Sequence, residues 1–214
     1  NVYLHYVYDL WVQQWRQRHA TGDMIVVRYA DDTIAGFQHR QDAERFLQDL
    51  KERLAQFALS LHPEKTRLVS FGRPKDQRED SGGEGTPPGT FDFLGFTHYW
   101  GKTRKGGWVI RRGTARQRLK RSLKAISQWC RKSLHEPLRG QVEALGRKLK
   151  GHFGYYGITG NQRALARFLY ELKRIWRKWL ARRSQKRDMS WDRFICILTR
   201  YPLPEPNMRR LAES

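Results

Sequence analysis

Two adjacent carboxylates, Asp31 and Asp32, are the side chains of this sequence best placed to do chemistry. They follow the β-branched run Ile25-Val26-Val27 and precede Thr33-Ile34. Neighbouring acids repel and raise each other's pKa unless a cation neutralises them. A tight link between two strands can aim both at one point. Their hard oxygens suit Mg²⁺, which keeps water and shares its coordination shell with phosphate groups. Two such ions could activate a hydroxyl and steady a leaving pyrophosphate in an in-line displacement. The plainer alternative is a polar turn, where aspartate is common. The residues alone leave both open.

The elements around the acids can be read from periodicity. Met24 to Tyr29 and Thr33 to Phe37 are extended, and Ala30-Asp31-Asp32 links them as a hairpin with both acids at its tip. Ahead of it, Val2, Tyr3, Tyr6, Val7, Leu10, Trp11 and Trp15 share one face of a helix over 1–19. Behind it, Ala43, Phe46, Leu47, Leu50, Leu54 and Phe57 line one face of a helix over 41–58. Asp42, Glu44, Arg45, Asp49, Lys51 and Glu52 cover the other face. His62-Pro63 stops this helix, and Thr66 to Phe71 predicts a strand. Residues 72–90, with five glycines and three prolines, predict a loop. Phe91 to Trp100 and Trp108 to Arg112 predict strands around a basic turn. Helices follow at about 115–134, 138–156 and 162–183, with a short one at 190–199, before Pro202, Pro204 and Pro206 end the order.

Charge divides the chain. The net charge is +21, yet residues 1–100 hold 12 Lys+Arg against 14 Asp+Glu, while 101–214 hold 30 against 7. A polyanion is the natural partner of the second part. Cys130 and Cys196 stand far apart with no Cys-x-x-Cys spacing, which fits a reducing cytoplasm. No apolar run is long enough to span a membrane, and no membrane partner is expected.

Several segments resemble reverse transcriptases of the kind encoded in group II introns. Tyr29-Ala30-Asp31-Asp32 is similar to the signature at the tip of their palm hairpin. Asn1-Val2-Tyr3-Leu4 resembles the Asn-Ile-Tyr-Leu segment leading into the palm helix. Ser60-Leu61-His62-Pro63-Glu64-Lys65-Thr66 resembles the motif after that helix, and Phe91-Asp92-Phe93-Leu94-Gly95-Phe96 the primer grip. Gly151-His152-Phe153-Gly154-Tyr155-Tyr156-Gly157 is similar to the Gly-x-x-x-Tyr-Tyr segment of the maturase thumb. All run in family order.

The resemblance implies an α+β fold. Residues 1–112 would be the C-terminal half of a palm with an antiparallel sheet, and 113–214 a basic helical thumb or maturase bundle. It implies an RNA-directed DNA polymerase with a maturase role in intron splicing and mobility, in the cytoplasm with nucleoid or ribonucleoprotein. The implied cofactor is Mg²⁺ in a two-metal site, with Asp31 and Asp32 as ligands. Tyr29 and Ala30 would lie near the nucleotide or primer end. Lys65 would approach the nucleotide phosphates, or stay a solvated lysine. Leu94 and Gly95 would place the primer backbone, or Gly95 would only kink a strand. Implied partners are intron and template RNA, a DNA primer and deoxynucleoside triphosphates.

In the basic part, Arg111, Arg112, Arg116, Lys120, Lys124, Lys150, Arg174, Arg177 and Lys178 are expected to meet phosphates. Leu119, Leu123, Ile126 and Trp129 or Cys130, then Leu165, Phe168, Leu169, Leu172, Ile175, Trp176 and Trp179, form the apolar stripes. Tyr156 is the aromatic expected to be exposed for stacking on a base. The family's third palm carboxylate and fingers would precede Asn1, so residues 1–214 alone are expected to polymerise little or nothing. A His/Cys-rich endonuclease segment is not recognised, and DNA cleavage is not expected. The alternative is a non-catalytic maturase module that helps intron RNA fold. Oligomeric state stays open, because an exposed palm edge could pair with a second copy.

Overall fold

The computed structural model describes residues 2–74, 89–183 and 189–206. The architecture mixes helices with two small antiparallel sheets, as expected for a partial palm and a helical region. The chain divides into two compact units, Asn1–Leu94 and Gly95–Ser214.

The first unit opens with α1 (Val2–Leu4), a π-helical turn (His5–Asp9) and α2 (Leu10–His19). The π turn changes which side chains are buried. Val7, Tyr8, Val12 and Trp15 enter the core, whereas Val2, Tyr3, Tyr6 and Leu10 are exposed. The expected single stripe over 1–19 therefore fails: of its members only Val7 and Trp15 are buried, and Tyr8 and Val12 join them from outside it. A π turn takes an extra residue, and a regular 3.6-residue period cannot be carried through it.

The hairpin pairs β1 (Met24–Tyr29) with β2 (Asp32–Phe37), in register from Met24↔Phe37 to Tyr29↔Asp32. Its inner face joins α2 and α3 (Arg40–Ala55) in one core. Trp15 packs edge-on to Phe46 (5.0 Å) and Phe37 (6.1 Å), and its Nε1 donates to Asp49 at 2.7 Å.

Asp42 departs from the expected solvated face of α3. It is only 5% exposed and accepts from Thr21 N (2.8 Å), Thr21 Oγ1 and Gly22 N. An acid in the first turn of a helix also complements the helix dipole. The α3 helix ends where Ala58 takes φ 55° and Leu59 N donates back to Leu54 O.

Thr66 to Phe71 forms no strand. Gly89 N donates to Ser70 O at 2.7 Å and Phe71 meets Phe91 edge-on, but among the described residues the segment joins no sheet. Most of the loop expected over 72–90 lies outside the described residues. The strand expected over Phe91 to Trp100 is interrupted. Leu94 (φ 48°) and Gly95 (φ 81°) are both left-handed, so the chain turns between β3 (Phe91–Phe93) and β4 (Phe96–Lys102).

In the second unit β4 pairs with β5 (Trp108–Thr114), from Phe96↔Thr114 to Lys102↔Trp108. The sequence reading groups this hairpin with residues 1–112, whereas the compact units group it with the helices. Buried Asn161 is one reason. Its Oδ1 accepts from Thr114 N (2.9 Å), and its Nδ2 donates to Thr114 Oγ1 (2.8 Å) and Tyr156 O (2.9 Å). The end of β5 is thereby tied to the junction of two helices.

The helices are α4 (Arg116–Lys132), α5 (Leu138–Tyr156), α6 (Gln162–Ala181) and α7 (Trp191–Arg200), close to the expected spans. Their stripes meet in one core around Leu145, Leu149, Leu165, Leu172, Trp176 and Phe194. Buried Gln141 accepts from Trp176 Nε1 (2.8 Å) and donates to the Ser133 and Glu136 carbonyls. Among the described residues no helix or strand follows α7, but the proline-rich segment still packs: Leu203 is buried, and Pro204 lies against Gly146.

Asn161→Ala leaves a buried N–H and carbonyl without partners and should lower stability by about 1–3 kcal/mol in urea denaturation. Burial pushes the Asp42 carboxyl up, but the bonds from Thr21 and Gly22 outweigh it and hold the group below its ordinary 3.8. Its stabilisation is therefore fully present above that value and lost as pH falls through the lower folded one. Acid unfolding followed by circular dichroism should lose this component in Asp42→Asn.

Candidate functional site

The acidic tip is tighter than the sequence implies. Asp32 already belongs to β2 and pairs with Tyr29, so only Ala30 and Asp31 make the turn. Ala30 has φ 56°. Hairpin turns need left-handed residues to match strand twist, and glycine or asparagine normally supplies them. An alanine there costs about 1–2 kcal/mol. Such strain persists only where surrounding contacts enforce it.

Those contacts come from the π turn. Arg28 Nε and Nη2 donate to Asp9 Oδ1 and Oδ2 at 2.6 and 2.5 Å. Arg28 Nη1 donates to the Ala30 carbonyl at 2.7 Å. The next residue of the π turn holds the other strand, with the Tyr8 hydroxyl 2.8 Å from Thr33 Oγ1. The hydrogen bond from Arg28 holds the Asp9 carboxyl below the ordinary carboxylate range. Burial pushes the Tyr8 hydroxyl up. Sequence reasoning missed both Asp9 and Arg28. The available signals were an arginine directly before the tip, in an otherwise apolar run, and an acid among aromatics.

Tyr29, Ala30, Asp31 and Asp32 are thus brought together, all exposed. Among the described residues the carboxylates of Asp31 and Asp32 take part in no ion pair or hydrogen bond. Their acceptor-only oxygens fit a hydrated divalent cation. A third acid does not join them: the described residues hold no cluster of three or more His, Cys, Asp or Glu. Lys65 sits exposed on the turn where Lys65 N and Thr66 N both donate to His62 O. It makes no ion pair with either acid.

Of the remaining candidates, Leu94 is the last residue of the first unit and the others belong to the second. Gly95 needs its glycine twice over. Its φ is 81°, and a Cβ there would meet the Tyr156 hydroxyl at 2.8 Å. Tyr156 is therefore packed, edge-on to Phe96 (5.2 Å) and beside His152 (4.6 Å). Tyr155 is the exposed ring, at 55%, and stacks on Phe96 at 5.8 Å. The expectation of an exposed Tyr156 is corrected to its neighbour. Burial holds His152 down at about 4, so this ring, stacked 3.7 Å from Phe168, stays uncharged at neutral pH. Burial also pushes the Cys130 thiol up to about 12.

Arg116, Lys120 and Lys124 are exposed on α4, as are Lys150 on α5 and Arg112 on β5. The α4 helix carries seven cations and no acid, two of them in its first turn against the helix dipole. Arg111 is exposed and donates to the Lys102 carbonyl. Arg174 pairs with Glu171 at 3.2 Å, and Lys178 is exposed. Arg177 is not an outward cation. It donates to Met189 O at 2.6 Å and lies 4.4 Å over the Trp191 ring, joining α6 to α7. Periodicity placed it outside because it could not register that α7 covers this face.

No curated protein matches the chain significantly. The segment that carries the acidic hairpin does match a family: residues 1–98 are similar to reverse transcriptases (RNA-dependent DNA polymerases).

Proposed function

We propose that the chain is part of a reverse transcriptase of group II intron type, with an RNA-binding maturase role. The matching segment supports RNA-directed DNA polymerisation at the level of the family. The observation that carries the site reading is the strained tip, which presents two exposed acids, unpartnered among the described residues, inside that segment. In this reading Asp31 and Asp32 are ligands of Mg²⁺, and Tyr29 and Ala30 border the nucleotide or primer end. When bound, the ion would supply charge neutralisation at the reacting phosphate. Lys65 would approach nucleotide phosphates, and Leu94 and Gly95 the primer backbone. Nucleic acid and deoxynucleoside triphosphates are the partners that the family implies, and intron RNA is the partner of the finer reading.

The basic helices support the RNA-binding half of the proposal. The α4 cations repel one another with no acid on their own helix to offset them, and a phosphate backbone would relieve that repulsion. The second reading is an RNA-binding maturase module without chemistry. The lack of a third acid near the tip among the described residues favours it for the 214 residues assayed alone.

Primer extension separates the two readings. Residues 1–214 alone should give no Mg²⁺-dependent extension, and a clear signal would overturn the claim that the site is incomplete. In any longer polypeptide that carries this sequence and extends a primer, Asp31→Asn should lower kcat at least about a hundredfold. Full activity of that variant would remove Asp31 from the site.

RNA affinity is a separate measurement. If about six phosphates are contacted, affinity should fall about a thousandfold between roughly 50 and 200 mM salt. Lys120→Glu with Lys124→Glu should reduce both affinity and salt slope. A salt-insensitive affinity would make this face merely solvated.

A further inference from the structure

We propose that Arg28 is a positioning residue for the acidic tip, and that Asp9 keeps it in that task. The proposal rests on the metal-binding reading of Asp31 and Asp32, and goes beyond it by naming what aims them. Arg28 and Thr33 form one rung of the hairpin, directly below the Tyr29↔Asp32 rung. Consecutive residues of the π turn hold both sides of that rung: Asp9 holds Arg28, and Tyr8 holds Thr33. The third arm of the same guanidinium reaches past the rung to the Ala30 carbonyl. Three donors of one planar group thus join a helix, a strand and the left-handed turn residue. A lysine cannot copy this, because the fork geometry belongs to arginine.

The clamp has a second consequence. A cation one rung below an acidic tip would ordinarily neutralise that tip and compete with a metal. Here both oxygens of Asp9 engage the guanidinium, and Asp31 and Asp32 form no ion pair with it. The turn is held by an arginine whose charge is already matched elsewhere. Asp9 therefore leaves the two acids negative, and Arg28 fixes the peptide from which they project.

The test uses the ¹⁵N-labelled 214-residue chain, with Mn²⁺ as a paramagnetic probe. Arg28→Lys retains a charge for Asp9 but loses the tether to Ala30. The melting temperature and the exchange of core amides such as Leu50 should stay close to wild type. The amide of Asp32, which pairs with Tyr29, should exchange about tenfold faster or more, the size of one lost charged hydrogen bond. The Mn²⁺ concentration that broadens the Asp31 and Asp32 resonances should rise by a similar factor.

Unchanged tip exchange in Arg28→Lys would overturn the proposal. If the wild-type tip shows no Mn²⁺ broadening, the metal reading fails, and the exchange measurement alone decides whether Arg28 holds the turn. Should Arg28→Lys not fold, Asp9→Asn releases the guanidinium from its partner. It should weaken Mn²⁺ broadening while keeping the core amides protected; equal Mn²⁺ affinity in that variant would overturn the role given to Asp9.

Discussion

A two-stranded hairpin is not stable in water by itself. The first unit is organised around that constraint. The β1–β2 pair gains stability because one of its faces is covered by α2 and α3, where Trp15, Phe37 and Phe46 interlock. Its other face keeps Ile25, Val27 and Tyr29 exposed. Everything that positions the acidic tip depends on this one-sided support. Without it, neither the register down from Tyr29↔Asp32 nor the left-handed Ala30 would be held.

The π turn is how this support reaches the tip. Hydrophobic packing anchors the base of the hairpin through Met24 and Phe37, but it is not directional and cannot aim a carboxylate. Aim comes from hydrogen bonds, and those at the tip end of the hairpin originate at Tyr8 and Asp9. The local cost of a π turn and of a left-handed alanine is offset by a charged, bidentate pair, the strongest class of protein hydrogen bond. Local strain and directional bonding are thus found together at the place where the chain presents its two exposed acids.

The second unit solves a different problem. Its helices carry a large cationic excess, so cohesion has to come from narrow apolar stripes that leave the cations outside. Trp176 is wholly buried and still satisfies its N–H through Gln141, which shows how few polar groups that core admits. Arg177 joins structure and charge: its guanidinium works as a strut between α6 and α7. Tyr155 and Tyr156 divide their roles similarly, one ring outward and one closing on Gly95.

By itself the amino-acid sequence determined the charge division and the four helices of the second unit. Stripes at helical spacing, such as Leu165-Phe168-Leu169-Leu172-Trp176, can be buried in only one way. It also singled out the hairpin and its two acids, because β-branched residues flank a short polar link. Tertiary structure alone decided the rest. The π turn moved the buried face of the first helix, Asp42 turned inward to cap Thr21-Gly22, and Leu94-Gly95 broke an apparent strand. Only the folded chain brought Asp9, Arg28 and Ala30 together. Each of these depends on partners distant in sequence or on backbone angles, and side-chain periodicity carries no record of either.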